Sequence, residues 1–534
     1  MTDARPAASS LARSVAGMGA AAAVSRAFGA LRMVVIAAVL GTTYLGNAFQ
    51  ASNSVSNILF ELLAAGALSA VLIPSFVDAF ARDEPRRAEE LAGGVLSIAL
   101  AGLAVVSVLG IVFAPAVARL LTSGVDDPAV ATDQRALATF LLRFFVPQVL
   151  FYAVGTVSTA VLQARGRFAL TAVAPIGNTV VLVASMVAFR QMAGSDPGLD
   201  LTTGERLVLA LGGTLGVVAF VGVTAVGLWT TGFRFRLGIR RALRDHDVRR
   251  LLRLSGWAVV QHSGAAVLLG GAIVAAGGLA GGVVAYQLAF VVFLAPYGIL
   301  AQPIHTAVLP RLAGDVASGD VAGLRSAVRW AADAMAATTL LAAALLAGLS
   351  TPVMGVLAFG EAGRGDGPAL LAAALGGLAV GIPAYGGFLL LTRVAYALGD
   401  SRTPALASIC SATAGAAAML VAGQVVDGSA RLVAIAGAHS LSQLAGLVWL
   451  AARLRPAVGG VVSSAQVRAL SVAVGVGALV WLLQDRLDPD GRAVTFGLVA
   501  VLGAGGLGIY GAALRFLGAL PARAPAPHIA GVAS

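Results

Sequence analysis

Fourteen apolar runs, each long enough to cross a bilayer, follow one another along this chain with only short polar breaks. They lie near 14–40, 46–80, 91–120, 136–163, 169–190, 207–231 and 254–277, then near 279–310, 327–358, 369–398, 404–426, 431–452, 467–484 and 494–514. Hydrocarbon offers a backbone amide no partner, so a spanning segment must satisfy its own hydrogen bonds. About 20 apolar residues in a row meet that demand as a helix. Short alternating segments, the mark of a transmembrane barrel, are absent from the sequence. The expected fold class is therefore an all-α polytopic membrane protein with about 14 transmembrane helices. Charged residues make up 11% of the chain, against about 25% in a soluble domain.

All 36 basic residues are arginine. The net charge of +11 could suggest nucleic acid, but the placement of the arginines speaks for topology instead. An even span count puts both termini on one side, and two-thirds of the arginines fall in segments on that side. The largest group is FRFRLGIRRALRDHDVRRLLR, with Arg234, Arg236, Arg240, Arg241, Arg244, Arg249, Arg250 and Arg253. Both termini are thus expected in the cytoplasm, and nucleic acid is set aside. The first 13 residues form a polar cytoplasmic tail, and the apolar run after them reads as a retained first span rather than a cleaved signal. Residues 234–253 read as a basic amphipathic linker on the inner leaflet.

Charged side chains inside spans are costly and face the bundle interior or a water-filled path. Arg26 lies about twelve residues, or roughly 18 Å, into the first span, too deep to snorkel to the headgroups. Arg32 is nearer the outer end and, at about 100° per residue, sits roughly 120° round the helix from Arg26. Both can border one wide cavity. The second span is too long for one straight crossing, and its first half carries Asn47, Gln50, Asn53, Asn57 and Glu61. The last three recur every four residues and share one face. Glu61 is either a paired structural carboxylate, with Arg26 as partner, or a proton or cation site. His262 and His305 are weaker cavity or coupling groups; a lone span histidine is more often a satisfied interior residue. Arg329 and Asp333 are spaced for an i,i+4 ion pair. Cys410, the single cysteine, reads as a small packing residue. The sequence holds no P-loop, no HExxH and no Cys/His ligand pattern, so no cofactor, metal or catalytic centre is expected. The chain reads as a transporter, not an enzyme.

Several segments, in order, resemble one family. They are SRAFGALRMVVIAAVLGTTYLGNAF, NILFELLAAGALSAVLIPSF, LLRFFVPQVLFYAVGTVSTAVLQARGRFALTAVAPIGN, LPRLAGDVASGD, PVMGVLAFGEAG and RVAYALGDSRTP. Together they are similar to the MurJ/MviN lipid II flippases of the multidrug/oligosaccharidyl-lipid/polysaccharide exporter superfamily. The resemblance implies two six-helix lobes around a central cavity plus two C-terminal helices beside a lipid groove. The N-lobe would be 14–233, the linker 234–253, the C-lobe 254–453, the groove helices 454–518 and the cytoplasmic tail 519–534. It implies a flippase in the bacterial plasma membrane that moves lipid II from the inner to the outer leaflet by alternating access. The partners implied are lipid II or a related undecaprenyl-linked glycan, membrane lipids and cell-wall synthesis proteins. Arg26 and Arg32 match first-span arginines that help hold the pyrophosphate, and an arginine fork suits that group. The expected substrate-binding set is Arg26, Arg32, Asn47, Asn53, Asn57 and Glu61, with Glu61, His262 and His305 as coupling or cavity groups.

The sequence departs from better-known members at three cavity positions. Asn47 stands where they carry aspartate, and Phe60 and Val291 where they carry arginine. Spans seven and eleven also lack the acids of a carboxylate sodium site. The membrane potential alone is a sufficient drive, at about 2.3 kcal/mol per charge per 100 mV. Three alternatives stay open on the residues: a flippase for another polyprenyl-linked glycan, a cation-coupled drug exporter, and a non-transporting cell-wall scaffold. Cavity arginines suit an anionic lipid, whereas cationic drugs need acids.

Overall fold

The computed structural model describes residues 24–62, 66–249, 256–487 and 491–520, and all their regular secondary structure is helical. Eleven of the described helices are long and apolar enough to cross a membrane, or twelve when the bent pair Gly367–Ala379 and Ile382–Ala397 counts as one span. These twelve match the third to fourteenth expected spans. The first expected span begins outside the described residues, and the second is interrupted by residues outside them, so the count of fourteen stands as eleven or twelve here. The chain divides into two compact units, 1–266 and 267–534.

The first unit holds α1 (24–40), α2 (Tyr44–Phe60), α3 (Gly66–Ala81), α4 (Pro85–Leu121), α5 (Pro128–Phe145), α6 (Gln148–Ala164), α7 (Phe168–Ala193), α8 (Thr203–Trp229) and the short α9 (Ile239–Arg244). Gly41 (φ 73°) ends α1 in the left-handed conformation, which glycine adopts without strain. Thr43 then opens α2, its Oγ1 accepting from the Gly46 amide at 3.2 Å. Small residues let the helices approach closely. Gly212 of α8 faces Ser185 of α7, and Gly216 faces Asn178, with no room for a Cβ at either. In a bilayer such close packing, rather than hydrophobic burial, is what binds helix to helix.

The second unit runs through α10 (Gly256–Gly277, which crosses the boundary), α11 (Gly282–Pro296), α12 (Gln302–Ser318), α13 (Val321–Gly348), α14 (Ser350–Leu357), α15 (Gly367–Ala379), α16 (Ile382–Ala397), α17 (Arg402–Val425), α18 (Gly428–Val458), α19 (Ser464–Leu487) and α20 (Arg492–Phe516). The 44° bend between α15 and α16 falls at Val380 and Gly381, just before Pro383. The last two helices close on α13 through a glycine pair, Gly348 against the Gly477 carbonyl. Asp333 does not pair with Arg329. Its Oδ1 accepts from Ser463 Oγ at 2.7 Å and Gln466 Nε2 at 2.8 Å, because the start of α19 offers two donors to a half-buried carboxylate. Cys410 is also corrected: it lies exposed on α17, outside the packing.

The basic linker is strapped to the start of α4. Arg87 donates to both carboxylate oxygens of Asp245, at 2.6 and 3.0 Å, and also pairs with Asp247. Arg236 Nε meets Glu89 Oε2 at 3.0 Å. The hydrogen bonds from Arg87 come first among the causes that hold the Asp245 carboxyl below its ordinary range. A carboxylate depressed by folding stabilises the fold above its unfolded pKa, near 3.9, and loses that contribution as pH falls through its folded value. Protection factors across 236–248, taken against the intrinsic exchange rate at each pH, should therefore fall as pH is lowered through and below the ordinary carboxylate range. Asp245→Asn should show the faster exchange already at pH 7, with a loss of about 1 kcal/mol for this partly exposed pair.

Candidate functional site in the first unit

Two polar stripes run along α2. Ser52 and Ser56 point at α5, where Ser52 Oγ donates to the Ala138 carbonyl at 3.4 Å and Ser56 Oγ to the Phe145 carbonyl at 2.5 Å. Phe49 reinforces that contact edge-on against Phe145, with centroids 5.6 Å apart. One residue further on, about 100° round the helix, Asn53, Asn57 and Glu61 form the second stripe and are only half-buried. The serine stripe thus fixes the rotation of α2, and the asparagine stripe is left facing away from α5. Asn47 and Gln50 are buried at the start of the helix, and Gln50 Nε2 contacts Met33 Sδ at 3.4 Å.

Arg32 is half-buried on α1. Its Nε is wholly inaccessible and has no hydrogen-bond partner. The guanidinium lies within Coulombic reach of the Tyr152 hydroxyl on α6. The Tyr152 ring packs against Phe60, with centroids 5.2 Å apart and planes tilted by 37°. Phe60, which stands where the resemblance expects an arginine, packs on Tyr152 instead. Arg26 is exposed on α1, and the Thr179 hydroxyl of α7 lies 3.4 Å from the Phe28 carbonyl beside it. Glu61 caps α2 through its backbone amide. Among the described residues Glu61 has no ion-pair partner, so the bridge to Arg26 does not form. The structure brings Tyr152 onto Phe60, and keeps Arg26 and Arg32 on α1 and Asn53, Asn57 and Glu61 on α2.

The structure also places the two histidines. His262 is exposed on α10. In the second unit His305 is fully buried on α12, with Nε2 3.0 Å from Met335 Sδ and Nδ1 3.3 Å from the Tyr297 hydroxyl. Tyr297 opens a widened helical turn, closed by the Gln302 amide on the Tyr297 carbonyl. A third histidine escaped the sequence reading. His439 is buried on α18, its Nδ1 2.6 Å from the Tyr286 hydroxyl, with the Phe290 ring 5.4 Å away. No local pattern marks it, because Tyr286 and Phe290 come from α11 and only the Gln443 amide, 3.5 Å from Nε2, is local. Among the described residues no group of three or more His, Cys, Asp or Glu is placed to hold a metal ion.

The site's energetics separate structural from functional polarity. The Ser56 bond is satisfied, so Ser56→Ala should lower thermal stability by about 0.6 kcal/mol, the mean for hydrogen bonds between membrane helices. Arg32→Met removes a buried donor that has nothing to bond, so the ligand-free protein should unfold at the same temperature or higher. Thermal unfolding of the two purified variants checks both expectations.

The family model described as Lipid II flippase MurJ matches residues 36–491. A curated relative from Rhizobium meliloti (strain 1021), "Probable lipid II flippase MurJ", is 27% identical over 95% of this chain and 96% of that protein. A second with the same description, from Rhizobium tropici, is 27% identical over 72% of this chain and 71% of its own length. Among solved structures, a lipid II flippase MurJ in an inward closed conformation superimposes with a TM-score of 0.72, at 16% identity, over 94% of this chain and 98% of that one. An inward-facing multidrug resistance MATE family transporter of the MOP superfamily follows at 0.62, 15% identity, over 81% and 95%.

Proposed function

This chain belongs to the lipid II flippase family MurJ, a family of membrane transporters, and we propose that it carries lipid II from the inner to the outer leaflet of the bacterial plasma membrane by alternating access. Both termini lie in the cytoplasm in this reading, as the arginine bias supports. The observation that carries it is the half-buried Arg32 guanidinium on the first-span helix α1, with its Nε enclosed and unbonded. A donor left unsatisfied in an apolar interior costs roughly 1–3 kcal/mol. A pyrophosphate oxygen would supply the missing acceptor, and the guanidinium fork would bind it with charge-assisted bonds. The empty protein carries that cost, and binding the anionic headgroup relieves it.

The other residues take roles consistent with their positions. Tyr152 offers a hydroxyl within reach of the guanidinium's charge. Asn53 and Asn57 face away from the α5 contact and suit the neutral sugar and peptide portion. Arg26 adds the second cationic charge on α1. Glu61 is the group that titrates if a cation drives transport. The polyprenyl tail stays in lipid.

Complementation of a bacterial strain depleted of its lipid II flippase tests this. With expression verified, the wild type should restore outer-leaflet exposure of lipid II, and Arg32→Ala should not. Arg32→Lys should recover only part, because an ammonium keeps the charge and loses the planar fork. The expected loss for Arg32→Ala is roughly 10- to 100-fold in headgroup affinity. A well-expressed wild type that leaves lipid II unexposed would refute the proposal.

A further inference from the structure

The linker carries a second arginine cluster that the transport site does not use. Arg240, Arg241 and Arg244, with Asp245, line an open cavity of about 490 Å³. That size lies within the roughly 300–1,000 Å³ of ligand pockets. Its one acid is already committed, since both Asp245 oxygens accept from Arg87. The nearby acids are committed too. Glu89 is bonded by Arg236 and the Arg234 amide, and Asp247 by Arg87. Arg240 and Arg244 are exposed and make no ion pair among the described residues. Arg241 has only Glu90, at 3.8 Å. The cavity is therefore cationic.

The apolar side chains of the same segment divide in two. Ala242 and Val248 are buried against Gly94 of α4. Leu237, Ile239 and Leu243 point outward, 61%, 43% and 56% exposed. The segment is held at the start of a membrane-crossing helix, where the Arg236 backbone lies so close to Gly93 that a Cβ would not fit. Three outward apolar residues beside three arginines, at the level where a span begins, match the two halves of a phospholipid: acyl chain and phosphate.

We propose that this cavity binds the phosphate of an anionic inner-leaflet phospholipid, of the phosphatidylglycerol kind, with its acyl chains over Leu237, Ile239 and Leu243. The bound lipid pins the linker to the membrane surface while the Arg87 clamp holds it to α4. The site is separate from the transport site, and its occupancy is independent of the cargo.

The test uses the full-length protein in nanodiscs of phosphatidylcholine with increasing phosphatidylglycerol, with retained lipid counted by native mass spectrometry. The wild type should hold phosphatidylglycerol in preference to phosphatidylcholine, and salt should weaken the preference. R240Q/R244Q removes two exposed side chains that no ion pair needs, so the fold is kept. It should lose roughly 25-fold in preference, about fivefold for each arginine. L237S/L243S should weaken lipid retention without changing the response to inorganic phosphate. Equal retention by the wild type and R240Q/R244Q would overturn the proposal. So would inorganic phosphate occupying the site with no gain from lipid, or undecaprenyl pyrophosphate displacing phosphatidylglycerol selectively, which would give the site to the cargo. Loss of transport in the depleted strain with lipid retention intact would count against the flippase reading alone.

Discussion

Hydrocarbon supplies no hydrogen-bond partner, and this one constraint governs every polar group in the spans. Backbone groups answer it by coiling into helices. Side-chain hydroxyls answer it by donating to carbonyls of a neighbouring helix, as Ser56 does to Phe145 and Ser440 to Gly377. Buried histidines answer it with tyrosine hydroxyls. Against that background some buried groups stay open, the Nε of Arg32, Arg135 and Arg206 and the hydroxyls of Ser107 and Ser158 among them, and Arg32 is the one of these on α1.

The spans were legible because their signal is strong and local. Long apolar runs broken by short polar turns can be read without knowing any tertiary contact, and twelve of the expected spans recur, most within a few residues, though the ninth ends at Gly348 rather than near 358. The asparagine stripe was legible for the same reason, since a four-residue recurrence places Asn53, Asn57 and Glu61 on one helical face. The serine stripe was not. Serine is common in spans, and only the partner carbonyls on α5 show that Ser52 and Ser56 orient the helix.

Other misses share that cause. Arg329 and Asp333 have the spacing of an ion pair, but tertiary donors from α19 won the carboxylate. His439 looked like any residue of a long helix until Tyr286 was placed beside it. Cys410 sits in an apolar run, and the sequence does not say which face of α17 it occupies. The neighbourhood of Arg32 was half legible. The charge was evident, while the Tyr152 and Phe60 pair depends on how α6 meets α2. The linker was legible as basic and amphipathic, but not as strapped by Arg87 and Glu89 to a helix some 150 residues earlier.

The charge on α1 reads the pyrophosphate, and binding measures this. The direct measurement is equilibrium binding of two ligands to the purified protein: lipid II, and an analogue with the same tail and sugars joined by an uncharged linkage. The wild type should prefer lipid II, and Arg32→Gln should lose that preference while keeping its affinity for the neutral analogue. If Arg32→Gln still prefers lipid II, or loses affinity for both ligands alike, the charge does not read the pyrophosphate.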